Sequence, residues 1–245
     1  MKAKVATKVK GFVENPDQFT YRRIRRAIGY LGISLPILLI LFAVVPFFKT
    51  SIQPSISHFY YTNLREIFTG TLCAVGLFLV RYKGFGNKKW WRNDNLLTNI
   101  AGVMAFGVAF IPTDPIFPST RDTTLIPYDW NFLGGLHYTF AGTLFLSFSI
   151  LSIFVFTLGQ KHEAGIPKSV FDENNIYKFC GYSILLFILL IPLCNLLKLF
   201  THATLVLEAL SLFSFGIAWL IKGRALGQTG KTGEKLYREH NPILP

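Results

Sequence analysis

Phe132-Leu-Gly-Gly-Leu-His-Tyr-Thr-Phe-Ala-Gly-Thr-Leu-Phe-Leu-Ser-Phe-Ser-Ile-Leu-Ser-Ile-Phe-Val-Phe-Thr-Leu158 runs for 27 residues without an Asp, Glu, Lys or Arg. A helix needs about 20 such residues to cross the roughly 30 Å hydrocarbon core of a bilayer, so this stretch alone sets the class as membrane-spanning. Five further apolar segments bracketed by charge lie around it: 27–48, the run between Glu66 and Arg81, 95–112, 179–197, and the run between Glu208 and Lys222. Four of the six are long enough unaided. The second and sixth hold only 14 and 13 uncharged residues, so either they do not span or Arg65, Glu66 and Glu208 lie within the membrane.

Composition agrees. Of the 245 residues 51% are hydrophobic and 16% charged, against about 25% charged in a soluble domain. The three cysteines, Cys73, Cys180 and Cys194, stand singly inside apolar segments, which excludes a disulfide scaffold and a CxxC redox pair. The polar, basic stretch before the first apolar run is unlike a signal peptide and predicts an uncleaved N-terminus.

Orientation follows from the cations. If the N-terminus is cytoplasmic and all six segments cross, only Lys49, Arg65, Arg121 and Lys198 fall outside, leaving 21 of the 25 Lys and Arg inside, as the positive-inside rule requires. Removing either short segment destroys that asymmetry. The predicted fold is therefore all-α and polytopic, with six transmembrane helices and both termini cytoplasmic. A basic segment at 1–26 and a tail at 223–245 flank a bundle at 27–222. The net charge of +12 is then explained by anionic lipid headgroups, so the expected partners are membrane lipids and not nucleic acid. Phe47, Phe48, Phe59, Tyr60, Tyr61, Tyr128 and Trp130 outside, with Trp90, Trp91 and Trp219 inside, read as interfacial anchors. The halves show no internal repeat, and the 114–130 loop is the longest external connection, a candidate lid or docking surface.

Intramembrane charge marks function or pairing. Glu208 lies 14 residues before Lys222 and Arg65 lies 16 before Arg81, so at 1.5 Å per residue both sit about 21 to 24 Å above the cytoplasmic rim. The expectation is an Arg65–Glu208 pair in the outer leaflet. Around it, Glu66, His58, His137 and Tyr61 complete a predicted polar pocket for a lipid headgroup or small polar ligand. Arg65 would be its anion anchor and Glu208 its proton or cation ligand. His58, His137 and His202 could form a zinc site with a carboxylate, but no HxxxH or HExxH spacing is present, and no cofactor is otherwise called for. Ser55, Ser57 and His58 also admit a nucleophile reading, against which stands simple capping of the second helix by Thr62 or Asn63. Residues 225–232 imitate a phosphate loop, yet Ala225 replaces its first glycine and no strand precedes it. Asp94 and Asn95 read as the cap of the third helix. Ala101, Ala105 and Ala109, with Gly102, Gly107, Gly134, Gly135 and Gly142, predict that the third and fourth helices form the tight core.

Three stretches carry a resemblance: 55–68 (SISHFYYTNLREIF), 94–102 (DNLLTNIAG) with its FIPT end at 110–113, and 207–223, which opens LEAL and ends FGIAWLIKG. Together they resemble a group of uncharacterised bacterial six-helix membrane proteins known by a domain of unknown function, which implies a bacterial inner membrane and no established activity. A more distant similarity is to membrane hydrolases of the alkaline ceramidase type, which set Ser and His near one helix, Asp on the next and a His pair on the last around zinc. Here Ser55 and His58 are three apart rather than four, Asp94 falls at the opposite end, and His202 has no second histidine beside it. The leading expectation is a sensor, carrier or binding subunit with an outward-facing pocket. A metal-dependent lipid hydrolase is the enzyme alternative. A structural subunit, contacting a membrane-protein partner or another copy of itself, is the third.

Overall fold

The computed structural model describes residues 16–84, 86–115, 125–126, 132–158 and 172–226. Most of the 114–130 loop, the first lysines, His162, His240 and most of the 223–245 tail lie outside the described residues. The described chain is all-helical, without strands. Its six helices are α1 (Pro16–Ala43), α2 (Arg65–Arg81), α3 (Asp94–Phe110), α4 (Leu133–Ile150, continued by a π turn at Leu151–Val155), α5 (Glu173–Leu197) and α6 (Ala203–Lys222).

Four of these are long and apolar enough to cross a membrane: α1 from Phe19, α4 with its π turn, α5 and α6. The third segment, expected to be long enough unaided, forms a helix of 17 residues, as does the second. At 1.5 Å per residue each measures about 25 Å. Pro112 lies beyond the end of α3, because Ile111 already has extended backbone. Glu208 lies within the apolar helix α6, in its second turn, while Arg65 and Glu66 begin α2.

Each helix packs on its neighbours in the chain, and α6 returns to close against α1. Small residues at the crossings set this order. A methyl at Gly76 of α2 would stand 3.0 Å from the Gly102 carbonyl of α3, and one at Gly102 would stand 2.9 Å from the Gly76 carbonyl. The same reciprocity joins Gly29 of α1 to Gly216 of α6, at 2.9 and 2.8 Å. Gly181 of α5 abuts the Ser149 carbonyl of α4, and the Ser149 hydroxyl donates to the Gly181 carbonyl at 2.9 Å. The prediction of a tight α3–α4 core is thus corrected to a ring of close crossings. Ala101, Ala105 and Ala109 are fully buried as expected, and Gly107 meets Phe140, but Gly135 and Gly142 face open space.

The two ends of the bundle differ in chemistry. At the basic end, Arg25 donates to the Tyr82 hydroxyl at 2.7 Å and Tyr82 donates to Asp94 Oδ2 at 3.0 Å, which pins α1 to the start of α3. Burial pushes the Tyr82 phenol well above its ordinary range. Lys222 Nζ donates to the Phe156 carbonyl at 2.9 Å, and Arg26 donates to the carbonyls of Gly223 and Arg224, each at 2.7 Å. Asp94 was expected to cap α3. Asn93 does so instead, its side chain accepting from Leu96 N–H at 3.1 Å, and Asp94 is buried. Trp219 is likewise no interfacial anchor. It is 1% exposed and packs edge-on against Tyr82 and Phe156. Phe59 and Tyr60 are also buried, whereas Phe47 and Trp90 are exposed as anchors should be.

Candidate functional site

The opposite end carries the three described histidines, His58, His137 and His202. Between α1 and α2 the chain forms two 3₁₀ turns, Pro46–Phe48 and Ser57–Tyr61. Ser55 accepts from the His58 N–H at 3.2 Å, and the His58 ring Nδ1 returns to Ser55 Oγ at 2.6 Å. The first and fourth residues of this turn satisfy each other, with the return bond running to the Ser55 hydroxyl and not, as in a capping box, to its backbone N–H. Asp114 lies close enough for its charge to act on the same ring, and Ser55 Oγ and His58 Nδ1 share one proton between them. Burial holds the His58 imidazole below its ordinary pKa, making it neutral at pH 7. Residues 54–58 then lie across α6 as a strap: Leu205 N–H donates to the Pro54 carbonyl at 2.9 Å, and Ile56 N–H donates to Glu208 Oε2 at 2.6 Å.

Rings close the end of α3. A helix leaves its last carbonyls without intrahelical donors, and here Tyr60 reaches the Phe110 carbonyl, His137 Nδ1 the Ile111 carbonyl at 2.6 Å, and Tyr61 the Thr113 carbonyl. Since a carbonyl only accepts, His137 Nδ1 bears the proton and its Nε2 is a bare acceptor, without a partner among the described residues. Gly134 at the start of α4 packs directly on the Asp114 carboxylate, where any side chain would collide.

These elements enclose a cavity of about 550 Å³ between α4, α5, α6 and the strap. Its polar end is formed by Ser55, His58, His137, Asn195, Thr204 and Glu208, and its apolar walls by Ala141, Phe145, Ile188 and Ile191. Thr204 donates to Asn195 Oδ1 at 3.1 Å, joining α5 to α6. Of the six predicted pocket residues, His58, His137 and Glu208 line this cavity and Arg65, Glu66 and Tyr61 do not.

The expected Arg65–Glu208 pair is absent. Arg65 Nε donates to the Tyr60 carbonyl at 2.6 Å, with its guanidinium over the Tyr60 ring, while Glu208 holds the strap. Glu66 is exposed, and Tyr61 serves α3. The predicted caps of α2 fare unequally: Thr62 accepts from Leu64 N–H at 3.1 Å, whereas Asn63 donates to the Phe48 carbonyl. His202 precedes α6 and is not on the wall. Among the described residues no group of three or more His, Cys, Asp or Glu could hold a metal ion.

Sequence reasoning missed Asn195, Thr204 and the α5 wall. Asn195, a polar residue at the end of an apolar segment, was the available signal. Elsewhere the hydroxyls of Ser147, Ser152, Ser211 and Ser214 bond back to carbonyls one turn earlier, which removes them as candidates. Comparison of the chain with protein-family models, with curated proteins and with solved structures gave no match.

Proposed function

We propose that this chain is a bacterial inner-membrane protein of six spans with both termini cytoplasmic. Its outward-facing cavity binds a lipid headgroup or small polar ligand, as a sensor, carrier or binding subunit. The observation that carries this reading is the cavity itself. It lies within the usual ligand-pocket range of about 300–1,000 Å³ and combines apolar walls with a few polar groups at one end. A membrane amphiphile divides the same way. The distribution of Lys and Arg supports the topology, since it places the histidine end outside. Ser55 and His58 are read as the cap of the strap, and no observation favours the metal-dependent hydrolase.

Gly142 supplies the test. It lines the cavity and has nothing within 4 Å of where its side chain would project, so Gly142→Leu fills the space without displacing the helix. Native mass spectrometry of gently extracted wild-type protein should show a bound mass that Gly142→Leu lacks. A mass retained equally by both proteins refutes this cavity as the binding site. For topology, an impermeant thiol reagent applied to intact cells should label Ser51→Cys and spare Lys88→Cys, and the reverse pattern refutes the orientation.

A further inference from the structure

The wall of the cavity is rich in acceptors and poor in cations, and this narrows the ligand. Among the described residues no Lys or Arg lines it. Glu208 is the wall's carboxylate: Oε2 accepts from Ile56 N–H, and its other oxygen has no partner among the described residues. His137 is 1% exposed, gives its ring proton to the Ile111 carbonyl and keeps Nε2 as a lone pair without a partner among the described residues. Pro192 has no N–H to offer the Ile188 carbonyl one turn earlier, and both residues line the cavity. His58 Nδ1 is committed to Ser55, and Asp114 adds a second negative charge nearby. Arg65, the sequence's candidate anchor for an anion, is turned onto Tyr60.

An anion entering this space meets a carboxylate and bare lone pairs with no cation among the described residues to receive it, which is discrimination by repulsion. A cationic donor meets the opposite. A carboxylate at membrane depth without a facing cation is costly, and a bound ammonium removes that cost while donating to the free acceptors. Phe145 and Tyr138 add aromatic faces on the same wall, which favour an ammonium within about 6 Å. We propose that the cavity takes a protonated amine carried on an apolar body, with the ammonium at Glu208 and the hydrocarbon against α4 and α5. This assignment rests on the cavity being the ligand site. The amine could come from a free amphiphilic amine or from the amino headgroup of a membrane lipid; both offer the same ammonium.

The experiment uses the full chain in dodecyl maltoside with octylammonium, octanoate and 1-octanol as probes, titrated calorimetrically. Octylammonium should bind at least about tenfold more tightly than either of the others. Glu208→Gln keeps an acceptor for Ile56 N–H and removes the charge, so it should weaken octylammonium about tenfold and leave 1-octanol unchanged. Octanoate binding as tightly as octylammonium, or an unchanged octylammonium affinity in folded Glu208→Gln, overturns the amine assignment while leaving the cavity reading intact. Undiminished binding of all three probes by Gly142→Leu overturns the cavity reading instead. If Glu208→Gln does not fold, the ranking of the three probes on the wild-type protein still decides. Repeating the titration in nanodiscs separates the sources: phosphatidylethanolamine that competes with octylammonium, where phosphatidylglycerol does not, identifies the lipid headgroup. Equal affinity in both lipids identifies a free amine.

Discussion

Replacing Gly216 by alanine tests how the ring of helices closes. The new methyl would stand 2.8 Å from the Gly29 carbonyl and against the Ile33 side chain. Ile33 can turn aside, but a backbone carbonyl can retreat only by moving α1. Overpacking of this kind costs about 1–3 kcal/mol, offset by about 0.5–1 kcal/mol from replacing glycine within a helix. The net expectation is a loss of about 1 kcal/mol, which lowers the melting temperature by roughly 2–4 °C at this chain length. Gly70→Ala is the control, since nothing lies within 4 Å of that position; it keeps the helix gain without a collision and should melt roughly 1–4 °C higher. Size-exclusion chromatography after graded heating in a neutral detergent reads both. If Gly216→Ala is as stable as wild type while Gly70→Ala shows its gain, the α1–α6 crossing is not the close contact described. Gly29→Ala combined with Gly216→Ala should cost less than the sum of the two, because one displacement makes room for both methyls.

Three further outcomes are expected. Arg65→Ala and Glu208→Ala share no partner, so their effects on melting should add within about 0.5 kcal/mol, and a strong positive coupling would restore the ion pair. Tyr82→Phe removes the hydroxyl between Arg25 and Asp94 and should cost about 1–3 kcal/mol, measured in the same heating assay; an unchanged melting temperature removes this link from the account. His58 is harder to protonate folded than unfolded. Its contribution to stability is therefore complete above its ordinary value of 6.5 and fades as pH falls below it. The melting temperature should drop from pH 7.5 to 5 by less in His58→Asn than in wild type, and equal drops would reject that role.

The class of the protein was legible because a charge-free run of 27 residues admits few alternatives, and Glu208 was legible because a carboxylate stands out in such a run. Its partner was not. Depth along a helix is countable from sequence, but rotation about the axis is not, and the group that meets Glu208 is the Ile56 N–H, which every non-proline residue possesses. Trp219 was misread for a related reason: a tryptophan near the end of a span has the same local sequence whether it enters headgroups or a core. His58 and His137 were expected at one end of the bundle and do line one cavity there, yet nothing in their neighbours announces that one imidazole braces a strap while the other closes a helix. The order of helices around the ring depends on which glycines face each other, and glycines at Gly70, Gly135 and Gly142 that face open space look the same in sequence.

The closure of α6 on α1 also bears on biogenesis. Arg26 and Gly223, which bond to each other, are 197 positions apart, so α1 meets α2 early but finds its second neighbour only when α6 is made. Until then α1 presents the grooved face of Gly29 and Gly32 to lipid, and the strap at 54–58 has no Leu205 or Glu208 to grip. The cavity is thus a product of completed synthesis. A nascent chain interrupted before α6 would lack the cavity and leave the Gly29 and Gly32 groove of α1 unfilled.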